Sequence, residues 1–338
     1  MIQKNMSSGD LIADRRADYA RGLAAEHEFV AAADLMRQAL EIAPDWAAGW
    51  FSLAAYLEKA GEGEGASEAL RTVLRLTDED VFGAGMKLAA LGRASVPAAP
   101  PSAFVERLFD DYAERFDKAL VERLGYSVPE RLADIIASTS PNAGFAHAVD
   151  LGCGTGLMGE RLRTRVSYLE GFDLSTGMLA KAQEKGIYDN LATFDLSLPS
   201  EDKCLPLGGN GKADLVTAAD VLTYLGDLDT AFATASAILA PGGLFAFSVE
   251  KAPADCDWML RPSLRYAHGE AYIKRLARGH ALAVVSSTEA ELRKDGTEDV
   301  IGLLFLLERD RWAGADMIAT EEFSSRLERI ARRRVPSD

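Results

Sequence analysis

The stretch Ala148-Val-Asp-Leu-Gly-Cys-Gly-Thr-Gly-Leu-Met-Gly159 decides how this chain is read. It describes a short buried strand that breaks into a glycine-rich turn and then a helix. Glycine has no Cβ, so such a turn lets the backbone approach a ligand closely, and a nucleotide-like cofactor is the first expectation. Two registers compete. Gly154-Thr-Gly156-Leu-Met-Gly159 fits the G-x-G-x-x-G pattern of dinucleotide sites, which by itself is weak evidence. The other register is Asp150-x-Gly152-x-Gly154-x-Gly156, and the residues downstream have to choose between the two.

Tyr168-Leu-Glu-Gly-Phe-Asp-Leu-Ser175 reads as a second strand with an acid, Asp173, near its end. A carboxylate there accepts hydrogen bonds from both hydroxyls of a ribose. Ala213-Asp-Leu-Val-Thr-Ala-Ala-Asp-Val-Leu-Thr-Tyr-Leu-Gly226 reads as another strand running into a helix. Leu239-Ala-Pro-Gly-Gly-Leu-Phe-Ala-Phe-Ser-Val-Glu250 places a Pro-Gly-Gly turn before a fifth strand. With the second register, this set resembles the motifs of class I S-adenosylmethionine (SAM) methyltransferases. Only the first motif is shared with NAD proteins. Phe109-Asp-Asp-Tyr-Ala-Glu-Arg-Phe-Asp117, Ala219-Asp-Val-Leu-Thr-Tyr-Leu-Gly-Asp227 and Leu264-Arg-Tyr-Ala-His268 further resemble a bacterial group of methyltransferases with tetratricopeptide repeats ahead of the catalytic domain. The resemblance covers nearly the whole chain apart from its two ends. It implies SAM as cofactor and leaves the methyl acceptor open.

Composition sets bounds on this reading. A chain of 338 residues is long enough for two domains and a large core. A net charge of −15 argues against a general phosphate-binding surface. It suits a cationic sulfonium, and solubility alone accounts for it equally well. Three widely spaced cysteines suggest a reducing compartment and no disulfide frame. Neither a signal peptide nor a membrane span is visible, which makes a cytoplasmic protein the expectation.

The first ninety or so residues are rich in alanine and leucine with helical periodicity. Leu35-Met-Arg-Gln-Ala-Leu-Glu-Ile-Ala-Pro44 aligns with Ala69-Leu-Arg-Thr-Val-Leu-Arg-Leu-Thr-Asp78 at a spacing of 34, with Ala32 and Ala66 in the same register. Trp50, Leu53 and Pro44 complete a pattern similar to two tetratricopeptide repeats. Such an array serves either as a structural or dimerising element or as a docking groove for a partner. The expected organisation is an all-α repeat domain over 1–92, a proline-rich linker over 93–102 and a helical lid over 103–140. A methyltransferase domain over 141–310 and a helical tail over 311–338 complete it. The lid begins with a helix from Phe104 to about Leu124 that carries Phe109, Tyr112, Phe116 and Leu120. The implied fold is α/β and Rossmann-like, a seven-stranded, mostly parallel sheet closed by an antiparallel hairpin. Its strands are expected at 146–151, 168–173, 191–195, 213–219, 243–249, 282–292 and 300–308. The five arginines between Arg326 and Arg334 read as solvation and favourable helix-dipole placement.

By resemblance, Asp150 holds the cofactor's amino group directly or through water, and Gly152, Gly154 and Gly156 leave room for its methionine portion. Asp173 takes the ribose hydroxyls, Leu174 and Met178 face the adenine, and Asp195 accepts from the adenine amino group. Tyr112 is placed to face the SAM pocket. Leu174, Met178 and Tyr112 equally suit core packing, and Asp195 equally suits a turn. Asp220, at the end of the fourth strand, faces the methyl or caps a helix. Tyr224 is placed to donate to an acceptor oxygen and His268 to act as a general base. Glu250, Arg265 and Tyr266 complete the candidates, with Arg265 suited to an anionic acceptor. No grouping has metal-ligand spacing, and Cys153 reads as a small packing residue. The favoured function is SAM-dependent methyl transfer to a small molecule, at oxygen by preference. A protein methyltransferase that docks its target through the repeats and a non-catalytic SAM-binding interaction module are the alternatives. Neither nucleic acid nor membrane is expected as a partner, while self-association through the repeats is compatible with the pattern.

Overall fold

The computed structural model describes residues 7–117, 125–141, 144–198, 205, 207–208, 212–295 and 298–311. The expected helical tail lies outside them apart from its first residue. Packing divides the chain into two compact units. One holds the residues up to Tyr112 together with 223–227 and 258–267; the other holds the rest.

The first unit is built on α1 (Leu11–Ala25), α2 (Phe29–Ile42), α3 (Ala47–Lys59), α4 (Gly63–Leu76), α5 (Ala84–Ala90) and α6 (Ser102–Tyr112). Asp10 starts α1 by accepting from the amides of Ile12 and Ala13, which otherwise have no partner within the helix. Alanines let paired helices approach closely: Ala13, Ala20, Ala32, Ala33, Ala39 and Ala66 are all fully buried. The sequence repeat coincides with a repeat in burial. Met36 and Leu70, and Ala39 and Val73, occupy equivalent core positions on α2 and α4. Trp50 donates from Nε1 to the Pro44 carbonyl at 2.7 Å, closing the turn between α2 and α3.

The linker is a strap rather than a spacer. Proline cannot donate, but its neighbours' carbonyls remain available. The Ala98 carbonyl accepts from the amides of Gly226 at 2.8 Å and Asp227 at 2.9 Å, and the Pro97 carbonyl accepts from Tyr266 Oη at 2.8 Å. These bonds tie two later segments into the helical unit. The expected helix from Phe104 to Leu124 is shorter: α6 stops at Tyr112 and a 3-10 turn covers Ala113–Arg115. Asp110 and Asp111 oppose the helix dipole in the last turn of α6, which holds no basic residue of its own, although Arg107 one turn earlier pairs with Asp111 at 3.6 Å. Residues 118–124 lie outside the description.

The second unit centres on a sheet. Its strands are β1 (Phe145–Leu151), β2 (Val166–Asp173), β3 (Asn190–Thr193), β4 (Ala213–Ala218) and β5 (Leu239–Lys251). The strands β8 (Leu282–Asp295) and β9 (Glu298–Arg309) form the closing hairpin, while two short strands that were not expected, β6 (Trp258–Leu260) and β7 (Tyr266–His268), fall in the first unit except for His268. The long strands run in the order β3-β2-β1-β4-β5-β9-β8, with the first five parallel and the last two antiparallel. This is the Rossmann-like α/β arrangement with a mixed, mostly parallel sheet. Helices α7 (Val128–Thr139), α8 (Leu157–Leu162), α9 (Thr176–Lys185), α10 (Asp229–Ile238) and α11 (Glu270–Gly279) accompany the strands.

Nearly unbroken burial along β1, β4 and β5 reflects coverage of both faces of a parallel sheet. The Pro241-Gly-Gly segment does not precede the fifth strand but lies inside it, as an irregularity where pairing with β4 jumps from Ala213–Leu239 to Leu215–Leu244. Phe232, Phe245, Phe247 and Phe305 interlock on β5, β9 and α10, with Phe247 stacked on Phe305 at 5.3 Å. Phe247→Ala should therefore lower the unfolding free energy by about 3–5 kcal/mol in chemical denaturation. Val285→Ala, at a half-exposed position on β8, should change it by less than about 0.5 kcal/mol.

Candidate functional site

Chain order reverses between β1 and β4, which flank each other although β2 and β3 come between them in sequence. In open α/β sheets ligands lie beyond the carboxyl ends of the strands at such a point. The glycine turn leaves β1 there. Gly152 and Gly154 have φ of +64° and +55°, a left-handed backbone that side chains rarely adopt. A Cβ added at Gly152 would collide with the Val221 side chain, so this glycine makes room for protein. A Cβ added at Gly154 would meet only Phe116 Cε1, at 4.0 Å, so the space beside it is open.

The turn is held from both sides. The Cys153 amide donates to the Phe172 carbonyl at 3.0 Å, and the Gly154 amide donates to Asp173 Oδ2 at 2.8 Å. Asp173 Oδ1 accepts from the Ser175 amide at 2.9 Å, while Ser175 Oγ caps α9 by accepting from Met178. Asp173 thus grips the turn and the start of the next helix at once. Thr155 donates to Asp117, and Lys185 bridges Asp117 and Glu160 at 2.8 and 3.0 Å. Of the adenine-side candidates, Met178 is buried and Leu174 half-buried. Asp195 Oδ1 accepts from both the amide and the hydroxyl of Ser197, a local turn.

Asp150 is buried at the end of β1, with Oδ1 accepting from Thr217 and Oδ2 from Tyr188, each at 2.7 Å. Burial raises its pKa to about 6, against the two hydroxyls, which lower it, and with a smaller raising contribution from Asp173. Burial and the same two carboxylates push the Cys153 thiol up, which removes any basis for a thiolate there.

Asp220 adopts φ of +57°, unusual for a residue with a side chain. Its amide donates to Ser248 Oγ at 2.9 Å, and Arg293 Nη1 donates to both its carboxylate oxygens at 2.9 and 3.1 Å. Arg293 is almost completely buried and also pairs with the buried Glu250. Two carboxylates therefore share one guanidinium, which turns them into a rigid unit. Sequence reading missed Arg293. Strand alternation would send it outward, but a bulge between Glu291 and Arg293 turns Leu292 and Arg293 inward in succession. Tyr188 was missed as well, because it sits in the loop after Gly186 ends α9 and belongs to no periodic pattern.

The three catalytic candidates do not gather in one unit. Asp220 and His268 belong to the sheet unit; Tyr224, Arg265 and Tyr266 belong to the helical one, as does Tyr112. Tyr224 packs edge-on against Phe109 at 5.0 Å, with the Arg265 guanidinium 5.5 Å from its ring centre. His268 is fully buried, stacks on Tyr272 at 6.2 Å and accepts at its carbonyl from the Ala252 amide. Among the described residues no cluster of metal-ligating side chains occurs, and no helix is long and apolar enough to cross a membrane.

Residues 149–245 match the protein family described as a methyltransferase domain. This part of the chain resembles a methyltransferase domain. Similar curated proteins include the malonyl-(acyl-carrier protein) O-methyltransferase of Salmonella typhimurium, 27% identical over 46% of this chain and 60% of that protein. The ubiquinone biosynthesis O-methyltransferase of Methylococcus capsulatus is 28% identical over 57% of this chain and 72% of its own. The chain spans 60% or less of the length of several such relatives. The (4+2)-cyclase SpnF has a similar fold, with a TM-score of 0.51 at 16% identity over 63% of this chain and 98% of that one.

The buried charges of the methyltransferase domain yield two expectations. Arg293→Met removes the buried guanidinium that Asp220 and Glu250 share and should cost about 3–5 kcal/mol of stability. For Asp150, the folded pKa of about 6 stands above the ordinary 3.8. The folded chain therefore keeps a proton that the unfolded chain releases. Its contribution favours folding fully below pH 3.8 and is lost as pH rises through about 6. Asp150→Asn stays neutral throughout, so its stability relative to the native chain should rise by roughly 2–3 kcal/mol between about pH 4 and pH 8. A flat difference in denaturation midpoints across that range would show that Asp150 does not titrate in this way.

Proposed function

We propose that this chain transfers the methyl group of SAM to a small-molecule acceptor in the cytoplasm, at an oxygen atom by preference. The observation that carries the reading is the open space beside Gly154, whose amide is held by the Asp173 carboxylate at the end of the neighbouring strand. Bound SAM supplies an electrophilic methyl on a cationic sulfonium, with a neutral thioether as leaving group. The O-methyltransferases among the similar proteins support oxygen as the acceptor atom.

The residues present fit that cofactor. Gly154 would lie along the methionine portion, since a Cβ there would fill otherwise open space. Gly152 and Gly156 shape the same turn. Asp173, at the end of β2, would accept from the ribose hydroxyls. Asp150 provides negative charge near the cofactor's ammonium. Leu174 and Met178 would supply apolar contact to the adenine, and Asp195 an acceptor for its amino group.

In-line displacement needs little from the protein beyond alignment and exclusion of water. Arg293 holds the Asp220 carboxylate at one orientation, which suits a group that positions an acceptor hydroxyl and takes its proton. His268 remains the second candidate base, though its burial and its stacking on Tyr272 also suit a packing role. We read the helix pairs α1–α4 as tetratricopeptide-type repeats that stabilise the chain or dock a partner.

Titration calorimetry tests the cofactor directly. The full chain should bind SAM, and Gly154→Val should abolish binding; because Gly154 has φ of +55°, the valine is strained there and should also lower the thermal transition of the free protein. Asp173→Ala should weaken binding by roughly 1–3 kcal/mol. No heat at millimolar SAM would sink the reading. Release of S-adenosylhomocysteine across a panel of carboxylates and phenols identifies the acceptor.

A further inference from the structure

Three glycines around the turn face one side chain. A Cβ at Gly159 would stand 2.5 Å from Tyr188 Cζ, one at Gly171 2.9 Å from Cε1, and one at Gly156 3.1 Å from Cε2. The missing side chains on β2, on α8 and at its N-terminus thus form a slot for this ring. The loop that delivers it is pinned to β2. Asp189 donates from its amide to the Leu169 carbonyl at 2.8 Å and accepts from the Leu169 amide at 2.7 Å. Arg163 holds the same Asp189 oxygen at 2.6 Å. Tyr188 therefore has little freedom, and its hydroxyl ends 2.7 Å from Asp150 Oδ2.

We propose that Tyr188 is a positioning residue of the cofactor site that acts through Asp150, its ring packing under the glycine turn and its hydroxyl holding the carboxylate charged and aimed. The proposal rests on the cofactor reading above. Removing a buried carboxylate from water is costly unless donors replace the water. Tyr188 from the α9–β3 loop and Thr217 from β4 are the two donors. Facing them are Asp173 from β2, which disfavours a second negative charge, and Cys153 from the turn, whose raised thiol stays neutral. Tyr188 is a secure donor, because burial and Asp150 push its own hydroxyl well above the usual phenol range. Loss of either hydroxyl shifts Asp150 toward its protonated form, and a neutral carboxyl offers less to the cofactor's ammonium.

Tyr188→Phe keeps the ring and removes only the donor. In the full-length variant, the carboxyl 13C resonance of Asp150 should titrate roughly one pH unit higher than in the native chain. SAM affinity at pH 7 should fall about tenfold and recover toward the native value as pH rises. On an Asp150→Asn background the same substitution should change affinity less than about twofold. A 3-fluorotyrosine at position 188, a stronger donor that fills the same slot, should move the Asp150 midpoint the opposite way. An unmoved midpoint in both variants overturns the proposal whether or not SAM binds, and so does an equal affinity loss on both backgrounds. Absence of SAM binding by the native chain, with the midpoint moving as stated, fails the cofactor reading instead.

Discussion

The Asp150 carboxylate joins three separate parts of the sheet unit. It ends β1, accepts from Thr217 on the neighbouring β4 and accepts from Tyr188, which β2 holds through Asp189. A charge at that depth is tolerable only when every approach to it is specified, so the glycine turn cannot drift without exposing an unpaired carboxylate. The turn's backbone path, the close approach of Tyr188 and the open space beside Gly154 are consequences of the same arrangement.

A second buried charge system lies around Arg293. Its guanidinium ties the end of β4 to β5 and β8 through Asp220 and Glu250. Such a triad adds little net stability compared with an apolar packing of the same volume. What it provides is orientation: Asp220 holds a left-handed backbone that would otherwise relax, and its carboxylate points one way. The closing hairpin thus supplies, from the far end of the sequence, the cation for a residue at the centre of the sheet.

The succession of strands and helices was legible because each strand announces itself by burial and each turn by glycine or proline. The strand ends shifted by no more than four residues, and Pro241-Gly-Gly proved to be an irregularity inside β5 rather than its prelude. Two short strands escaped notice because β6 and β7 have only three residues each. Asp150, the glycines and Asp173 stood out because motif and strand end coincide. Arg293 and Tyr188 did not, since a bulge and an irregular loop carry them. The helical lid expected before β1 divides: α6 packs with the helical unit, and α7 belongs to the sheet unit.

By itself, the sequence determined the α/β alternation, the glycine turn and the methyltransferase domain, because local periodicity and turn chemistry act within a few residues. The tertiary structure decided which glycines face protein and which face open space, and which charges share a partner. Those outcomes depend on contacts between residues such as Gly159 and Tyr188, or Asp220 and Arg293. Burial makes such contacts obligatory, and nothing in their local sequence encodes them.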